Sequence, residues 1–463
     1  MSSFRRSGKA GSCLRTLAGL AGAIGLSFLQ TPASAQAQAQ AEDPMAALFS
    51  DLPTEPAALA AQIIQDVAAI RGLGFLEEIA VTNQSLEDFE RYLDAEMSRA
   101  MPPERSAAFG RVINKLGLYS GPVIEDTEGL IKFVMTSQAA AYYDPKASAF
   151  YVLLGDAPML MLAPIYAHEL YHGLQDQYWD LDAYLLDANQ RGLNDDETLA
   201  RQAVVEGEAT YIMTLWMMRQ MTGETPSGFM LDMAVNMQAQ LDGQALQEMV
   251  ESQMVPDMLG EGMADAAAAM DQIPPFMLET MIGAYLKGMG FVHAIMRDGW
   301  ESVELLYTDP PRSTEQILHP EKWLDRDDPV AIEFRDLDRA SVLDDWELLD
   351  SNVIGELQWR IIFSEFGMSD RAAELAAGWD GDRFGVFERD GELLLLLYTT
   401  WDTEADAAEF AQAYIGLLDA KYPDQDELTM VELRDQDVLI VEGGESDDAR
   451  ALLRALSRSR KIE

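Results

Sequence analysis

Cysteine and histidine are the scarcest chemically useful residues in this chain. Of the 463 residues only Cys13 is a cysteine, and only four are histidines. A disulfide framework and a cysteine-ligated metal site are therefore excluded, since each needs several thiols. Any metal would have to be held by histidine, aspartate or glutamate.

Basic residues are also few. The chain has 33 lysines and arginines against 79 aspartates and glutamates, and its formal net charge is −46. Such a chain repels nucleic acid and anionic lipid surfaces, so both are excluded as partners. A solvated acidic surface explains most of these carboxylates, and the charge says little about chemistry.

Long hydrophobic runs are absent except for a short one near the N-terminus. Residues 1–15 contain four basic residues and no acid, an apolar run rich in glycine and alanine follows, and the segment ends at residue 35 in Ala-Ser-Ala. This pattern predicts a secretory signal cleaved after Ala35, with no membrane anchor left behind. Arg5 and Arg6 resemble a twin-arginine signal, but the hydrophobic residues expected after the pair are missing. The general export route, to the periplasm or the medium, is favoured.

The rest of the chain predicts an α+β fold. A polar linker (36–53) is followed by a mostly helical region with a small sheet (54–350) and by a small α+β domain with an antiparallel sheet (351–463). In the helical region, two β-type runs around Asp144-Pro145-Lys146 predict a hairpin.

Three helical segments follow that hairpin. The pattern predicts a helix over 164–178, a second over 196–221, and a methionine-rich helical segment over 222–297. Packing by adaptable methionine side chains is the favoured interpretation of the last segment. A pliable apolar wall beside a peptide cleft is an alternative, and a methionine copper site ranks last.

The sequence "AHELYHGLQDQYWDL" (167–181) holds two of the four histidines. His168 and His172 are four residues apart, so on a helix they share one face and can bind one ion. Glu169 lies beside them, where it can take a proton from a metal-bound water. Two imidazoles without cysteine predict Zn²⁺, one ion per chain.

A catalytic zinc needs a third protein ligand, which "VVEGEAT" can supply. Glu206, 34 residues after His172, lies in the next predicted helix. An HExxH helix followed by a glutamate-bearing helix resembles the gluzincin metallopeptidases, the group of thermolysin-like enzymes and related aminopeptidases. "EGEA" is similar to their ligand segment and aligns Glu206 with the metal ligand. Glu208 remains the alternative ligand.

The resemblance extends over roughly residues 125–325. The chain is similar there to exported bacterial proteins of predicted metallopeptidase type, through the segments "YYDPKASAFYVL", "AHELYHGLQDQYWDL", "AVVEGEATYIM" and "STEQILHPEKW". It implies that the strand at 148–154 binds substrate backbone as an added strand.

The resemblance also implies side chains that support the ligands. Asp176 falls where thermolysin-like enzymes carry an aspartate, although a solvated helix end would explain it equally well. Thr210 stands where they place an aspartate that orients a histidine. A threonine hydroxyl lacks the charge of a carboxylate, so we expect weaker metal binding than in those enzymes.

Peptide hydrolysis further requires a donor to the developing oxyanion. His319, in "STEQILHPEKW", is the first choice, and Tyr285, Tyr142 and Tyr143 are the others. A structural role for His319 in the turn before Pro320 is an equal alternative. His293 is expected to be structural.

These residues predict an exported zinc metallopeptidase that hydrolyses a peptide or protein substrate. The alternative hypothesis is a peptide-binding module on a catalytically silent gluzincin scaffold. Endopeptidase activity is favoured over aminopeptidase activity, because no amine-binding motif is present. Zinc-dependent hydrolysis of another bond, the natural substrate and the oligomeric state are left open.

Overall fold

The computed structural model describes residues 49, 51–100, 103–138, 140–153, 162–186, 192–241, 272–335, 337, 341–424 and 427–462. The predicted signal and most of the predicted linker lie outside these ranges, as do residues 242–271 of the methionine-rich segment. The described chain is mostly helical and carries a few small sheets, which confirms the predicted α+β class.

The first part of the chain is helical with one small sheet. Its helices are α1 (Pro56–Arg71), α2 (Leu86–Ala100), α3 (Pro103–Leu116), α4 (Thr127–Gln138), α5 (Ala163–Trp179), α6 (Asp195–Thr222), α7 (Phe229–Ala239), α8 (Pro275–Ile282), α9 (Gly288–Ile295), α10 (Trp300–Thr308), α11 (Thr314–Leu318) and α12 (Pro320–Asp325). Two π-helical segments, Asp182–Leu186 and Gly283–Lys287, follow α5 and α8, and a short 3₁₀ turn, Met296–Asp298, follows α9.

The small sheet has three strands: β1 (Ala80–Gln84), β2 (Ala141–Asp144) and β3 (Ala149–Leu153). β2 and β3 form the predicted hairpin and are antiparallel, while β1 pairs with β3 in parallel. The sequence did not reveal β1, which is short and mostly exposed. β3 is the central strand of this sheet, so both of its edges are already paired. The expectation that a substrate strand adds to residues 148–154 is therefore wrong.

α5 and α6 have recognisable ends and buried surfaces. Pro164 occupies the first turn of α5, where a missing N–H costs nothing. The side chain of Asn194 caps α6 by accepting from the N–H of Glu197, and Gly223 ends it in a left-handed conformation. Both helices are buried around nearly their whole circumference for most of their length, so they lie in the interior of the molecule.

The second part of the chain contains the larger sheet. Its strands are β4 (Ala331–Glu333), β5 (Glu347–Asp350), β6 (Trp379–Arg389), β7 (Glu392–Trp401), β8 (Thr429–Arg434), β9 (Asp437–Glu442) and β10 (Arg460–Ile462). Its helices are α13 (Glu356–Glu365), α14 (Ala372–Ala376), α15 (Glu404–Lys421) and α16 (Ser446–Leu456), with 3₁₀ turns at Ser341–Leu343 and Ser369–Arg371. Five strands form an antiparallel sheet in the order β5-β6-β7-β9-β8, and β4 pairs with β10.

One hydrophobic core joins the two parts. It runs from the helical region to one face of the five-stranded sheet, and a second, smaller cluster lies between the other face and α16. Polar contacts also cross the junction. For example, the Asn352 side chain accepts a hydrogen bond from the backbone N–H of Asp195 at the start of α6. Within the described ranges, no helix combines the length and apolar composition that crossing a membrane requires.

Candidate metal centre

α5 brings the motif residues into the protein interior. Its residues from Ala163 to Gln175 are all buried. Gly173 allows this close packing, because a Cβ at that position would lie 2.2 Å from the side chain of Ile79, just before β1. The helix therefore lies against the small sheet with the two histidines facing α6.

Three ligand atoms converge between α5 and α6. The Nε2 atoms of His168 and His172 are 3.0 Å apart, and they lie 3.1 Å and 3.4 Å from Oε2 of Glu206. In a tetrahedral zinc site with bonds of 2.0–2.1 Å, ligand atoms are separated by about 3.3 Å. The three atoms are therefore spaced like three corners of such a site, and all three side chains are buried.

The unpaired oxygens also fit a bound cation. Oε1 of Glu206 and Oε1 of Glu169 are buried and have no hydrogen-bond partner among the described residues. Leaving such oxygens unsatisfied is costly, and a divalent cation would compensate for it. The donor set of two imidazoles and one carboxylate is that of a catalytic zinc site, so the residues present fit Zn²⁺.

The environment of Glu208 differs from that of Glu206. Its carboxylate accepts from the Arg71 guanidinium at 3.1 Å and from the Tyr307 hydroxyl. The side chain that contacts both histidines is Glu206, so the geometry favours Glu206 over Glu208 as the third ligand.

Glu169 lies beside this cluster and is fully buried. Its Oε2 accepts from the backbone N–H of Tyr143 in β2 at 3.1 Å, and a carboxylate oxygen lies within 4.8 Å of a nitrogen of each histidine. Burial raises the pKa of Glu169 from its ordinary value to about 8. A carboxyl with a pKa near neutrality is suited to accept and return a proton.

The pKa values of the ligands reflect their mutual contact. Burial acts to lower the pKa of His172, but the Glu206 and Glu169 carboxylates outweigh it and raise the value to about 9. Burial acts to raise the pKa of Glu206, and the two histidines outweigh it and hold the value below its ordinary range. These directions favour a protonated His172 beside an ionised Glu206 when no metal is bound, and a cation would compete with that proton.

Gln175 contacts the site, although sequence reasoning did not select it. Its Oε1 lies 2.7 Å from Nδ1 of His172, and its amide nitrogen is bonded to residues of α6 and α10. The only sequence signal is its position three residues after His172, on the same side of the helix.

The two predicted supporting residues have other surroundings. Asp176 accepts from the Tyr143 hydroxyl at 2.8 Å and from the N–H of Leu181 at 3.0 Å. Among the described residues its link to the site runs through Tyr143, whose backbone N–H donates to Glu169. The hydroxyl of Thr210 is buried without a hydrogen-bond partner among the described residues, so no bond to an imidazole is present there.

The structure does not bring His319 into contact with the predicted ligands His168, His172 and Glu206. Its Nε2 lies 3.0 Å from a carboxylate oxygen of Glu356 at the junction of the two parts. Thr314, five residues before His319, donates to Asp196 near the start of α6. Asp196 lies ten residues before Glu206, which is about 15 Å along the helix.

Tyr285, one of the predicted oxyanion donors, lies against a predicted ligand. Its ring stacks on His168 with 5.6 Å between centroids and an interplanar angle of 20°. It belongs to the π-helical segment Gly283–Lys287, and such segments are frequent at functional sites. The hydroxyl groups of Tyr142 and Tyr143 are bonded to Gln84 and Asp176.

Comparisons with known proteins reach only the second part of the chain. A family model described as a domain of unknown function (DUF8575) matches residues 346–455, which run from β5 into α16. No curated protein and no solved structure matches the chain. The matched segment contains none of the convergent residues, so the likeness to gluzincins rests on the motifs of the first part.

Proposed function

We propose that this protein is an exported zinc-dependent peptidase. The observation that supports the proposal is the convergence of His168, His172 and Glu206 beside a buried Glu169. Three protein ligands leave one position of a tetrahedral ion open, which is the arrangement of catalytic rather than structural zinc. Export rests on the predicted signal at 1–35.

The side chains would divide the chemistry among them. His168, His172 and Glu206 would hold Zn²⁺, and when bound the ion would polarise a water molecule and the carbonyl of the scissile bond. Glu169 would accept the proton of the attacking water and return it to the leaving amine, with its unpaired Oε1 as the receiving atom. Tyr285, which lies on His168, is the best placed of the predicted donors to the oxyanion.

The substrate backbone would lie along β2. This strand is at the edge of the small sheet, and the N–H of Tyr143 already binds Glu169. An extended peptide added to this edge would pass the general base, whereas β3, the strand expected from the sequence, is enclosed between its neighbours.

The alternative, a catalytically silent binding module, is favoured by one observation. The two histidines, Glu169 and Glu206 are each at most 3% exposed. If Glu169 were a fourth ligand, the ion would be closed off from substrate and its role would be structural.

Glu169→Gln separates these two functions. The variant keeps the size of the side chain but removes the base, so it should retain zinc and lose at least about 100-fold in kcat on a fluorogenic peptide library. Glu197→Gln, on the partly exposed side of α6, serves as the matched control and should keep the parent rate. An active Glu169→Gln enzyme would refute the mechanism. Loss of zinc from that variant would identify Glu169 as a ligand and favour the silent module.

A further inference from the structure

The side chain of Gln175 is buried behind His172, one of the three proposed zinc ligands. It is fully buried on α5, and its Oε1 lies 2.7 Å from Nδ1 of His172. The opposite ring nitrogen, Nε2, is the atom that faces His168 and Glu206. Gln175 therefore contacts the ring on the side away from the ion.

The orientation of the Gln175 amide is determined by its other neighbours. Its Nε2 lies 3.1 Å from the carbonyl oxygen of Val205, 3.1 Å from the Glu208 carboxylate and 2.7 Å from the Tyr307 hydroxyl oxygen. A carbonyl and a carboxylate only accept hydrogen bonds, and the Tyr307 hydroxyl already donates to Glu208. The amide nitrogen must therefore point towards them, which leaves the amide oxygen facing His172.

The amide oxygen in turn determines the tautomer of His172. Oε1 is an acceptor, so Nδ1 of His172 must carry a proton and donate it. Nε2 of the neutral ring then has a free lone pair, which points at the place where the ion would bind. If the amide were flipped, its oxygen would face the Val205 carbonyl and the Glu208 carboxylate, which can only accept hydrogen bonds. The flipped orientation is therefore unfavourable.

A buried arginine anchors this arrangement from a distant part of the chain. Arg71, at the end of α1, binds the Glu208 carboxylate at 3.1 Å and the Tyr171 hydroxyl at 3.1 Å. Its guanidinium lies 4.3 Å from the centre of the Trp300 ring. Arg71 offsets the charge of the buried Glu208 carboxylate, which in turn accepts from the Gln175 amide.

We propose that Gln175 is a positioning residue for the metal centre: held by Glu208 and Tyr307, it fixes the His172 ring as the Nδ1–H tautomer with Nε2 directed at the ion. The inference rests on the proposed zinc site and extends it to side chains that the motif does not include. Such outer contacts orient a ligand before the metal arrives and raise its basicity.

The test compares Gln175→Met with Gln177→Met. Methionine matches glutamine in length and lacks both amide groups. Gln177 is the matched control, because it lies on the same helix and its amide makes three hydrogen bonds of its own, to the backbone of residues 76 and 77. The dissociation constant for Zn²⁺ is measured by competition with a chromophoric chelator. The position of the ring proton is read from ¹⁵N shifts in selectively labelled protein, which has only four histidines.

Gln175→Met should weaken zinc binding by about 10- to 100-fold relative to the parent and to Gln177→Met. At a pH above the His172 pKa, where the ring is neutral, the ¹⁵N shifts of the metal-free protein should show an Nδ1–H ring in the parent and a mixture of tautomers in the variant. Tyr307→Phe removes only one oxygen and should weaken zinc binding several-fold in the same direction, which keeps the test available if Gln175→Met does not fold. If Gln175→Met or Tyr307→Phe folds and binds zinc as tightly as Gln177→Met, the proposal is overturned. This holds even if the melting temperature of that variant is lower than that of the parent.

These outcomes are separable from failure of the proposed function. A parent that binds zinc tightly but hydrolyses no peptide would refute the peptidase and leave the role of Gln175 standing. A parent that hydrolyses peptides with unchanged zinc affinity in both variants would refute the role of Gln175 alone. A parent that does not bind zinc would refute both.

Discussion

Glu206 and Glu208 are two positions apart on α6 and have different surroundings. Glu206 faces the two histidines and has one oxygen with no hydrogen-bond partner in the described part of the chain, whereas Glu208 is bonded to Arg71, Tyr307 and Gln175. A carboxylate that already has several donors is a poor candidate to bind a cation as well. The hydrogen-bond partners of the two glutamates therefore distinguish the proposed ligand, Glu206, from Glu208, which supports Gln175.

Thr210 provides a test at the same scale. Its buried hydroxyl has no partner in the described part of the chain, so Thr210→Val should leave zinc affinity unchanged and should not lower stability. Thr280→Val is the matched control, because the Thr280 hydroxyl bonds to the Phe276 carbonyl at 2.7 Å and to the Gln358 amide at 3.0 Å. Urea denaturation should show a loss of about 1 kcal/mol or more for the control alone. Weaker zinc binding in Thr210→Val would restore the role that the resemblance implied.

At the scale of whole elements, the crossing of α6 and α9 positions Glu206. A Cβ on Gly207 would lie 2.2 Å from the carbonyl carbon of Gly288, so the two helices meet backbone to backbone. Gly207 follows Glu206 directly in the chain. Any separation of the helices would therefore move the proposed ligand.

Gly207→Ala tests this crossing. The added methyl group should destabilise the fold by about 1–3 kcal/mol through overpacking and should weaken zinc binding. Gly416→Ala in α15 is the control, since a Cβ there meets nothing within 4 Å. That variant should be neutral or more stable by up to about 1 kcal/mol, because alanine is the better helix former. A Gly207→Ala protein with the parent melting curve and zinc affinity would contradict the close crossing.

The start of α6 predicts a pH dependence of stability. Asp196 accepts from the backbone N–H and the hydroxyl of Thr314, which ties α6 to α11. Burial raises its pKa from an ordinary value of 3.8 to about 8, and the charges of Asp382 and Glu356 act in the same direction. Between about pH 4 and pH 8 the folded state therefore holds one more proton than the unfolded state. Stability should fall as the pH rises through this window.

Asp196→Asn should remove this contribution. From pH 5 to pH 8 the free energy of unfolding of the parent should fall relative to that of the variant, by at most about 1.4 kcal/mol per pH unit. All other titrating groups are shared, so the difference between the two denaturation series isolates Asp196. Parallel curves for the parent and the variant would show that Asp196 is ionised in the folded protein.

At the scale of the whole molecule, the sequence predicted what depends on local spacing. The two histidines and Glu169 lie on one helix, so their proximity follows from helical geometry, and the predicted ends of that helix and the next lie close to the observed ends. The C-terminal antiparallel sheet also followed from its alternating strands. Glu206 came from the resemblance, since nothing in spacing alone brings α6 to α5.

The features that were missed depend on distant contacts. Gln175 acquires its role from Glu208 and from Tyr307, 132 residues later in the chain. β1 is too short to be recognised without its partner β3, which lies almost 70 residues further on. His319 was selected because its segment belongs to the resemblance, and that segment in fact lies at the junction between the two parts of the chain. Sequence periodicity carries no information on any of these pairings.

The most direct test of the central claim is the zinc content of the protein purified without chelator, compared with that of Glu206→Ala. The account predicts about one zinc ion per parent chain and a large loss in the variant, because α5 alone supplies only two ligands. Glu197→Ala, on the same helix but away from the histidines, should keep its zinc. A parent that stays free of zinc even after zinc is added back, or a Glu206→Ala protein that holds as much as the parent, would contradict the account.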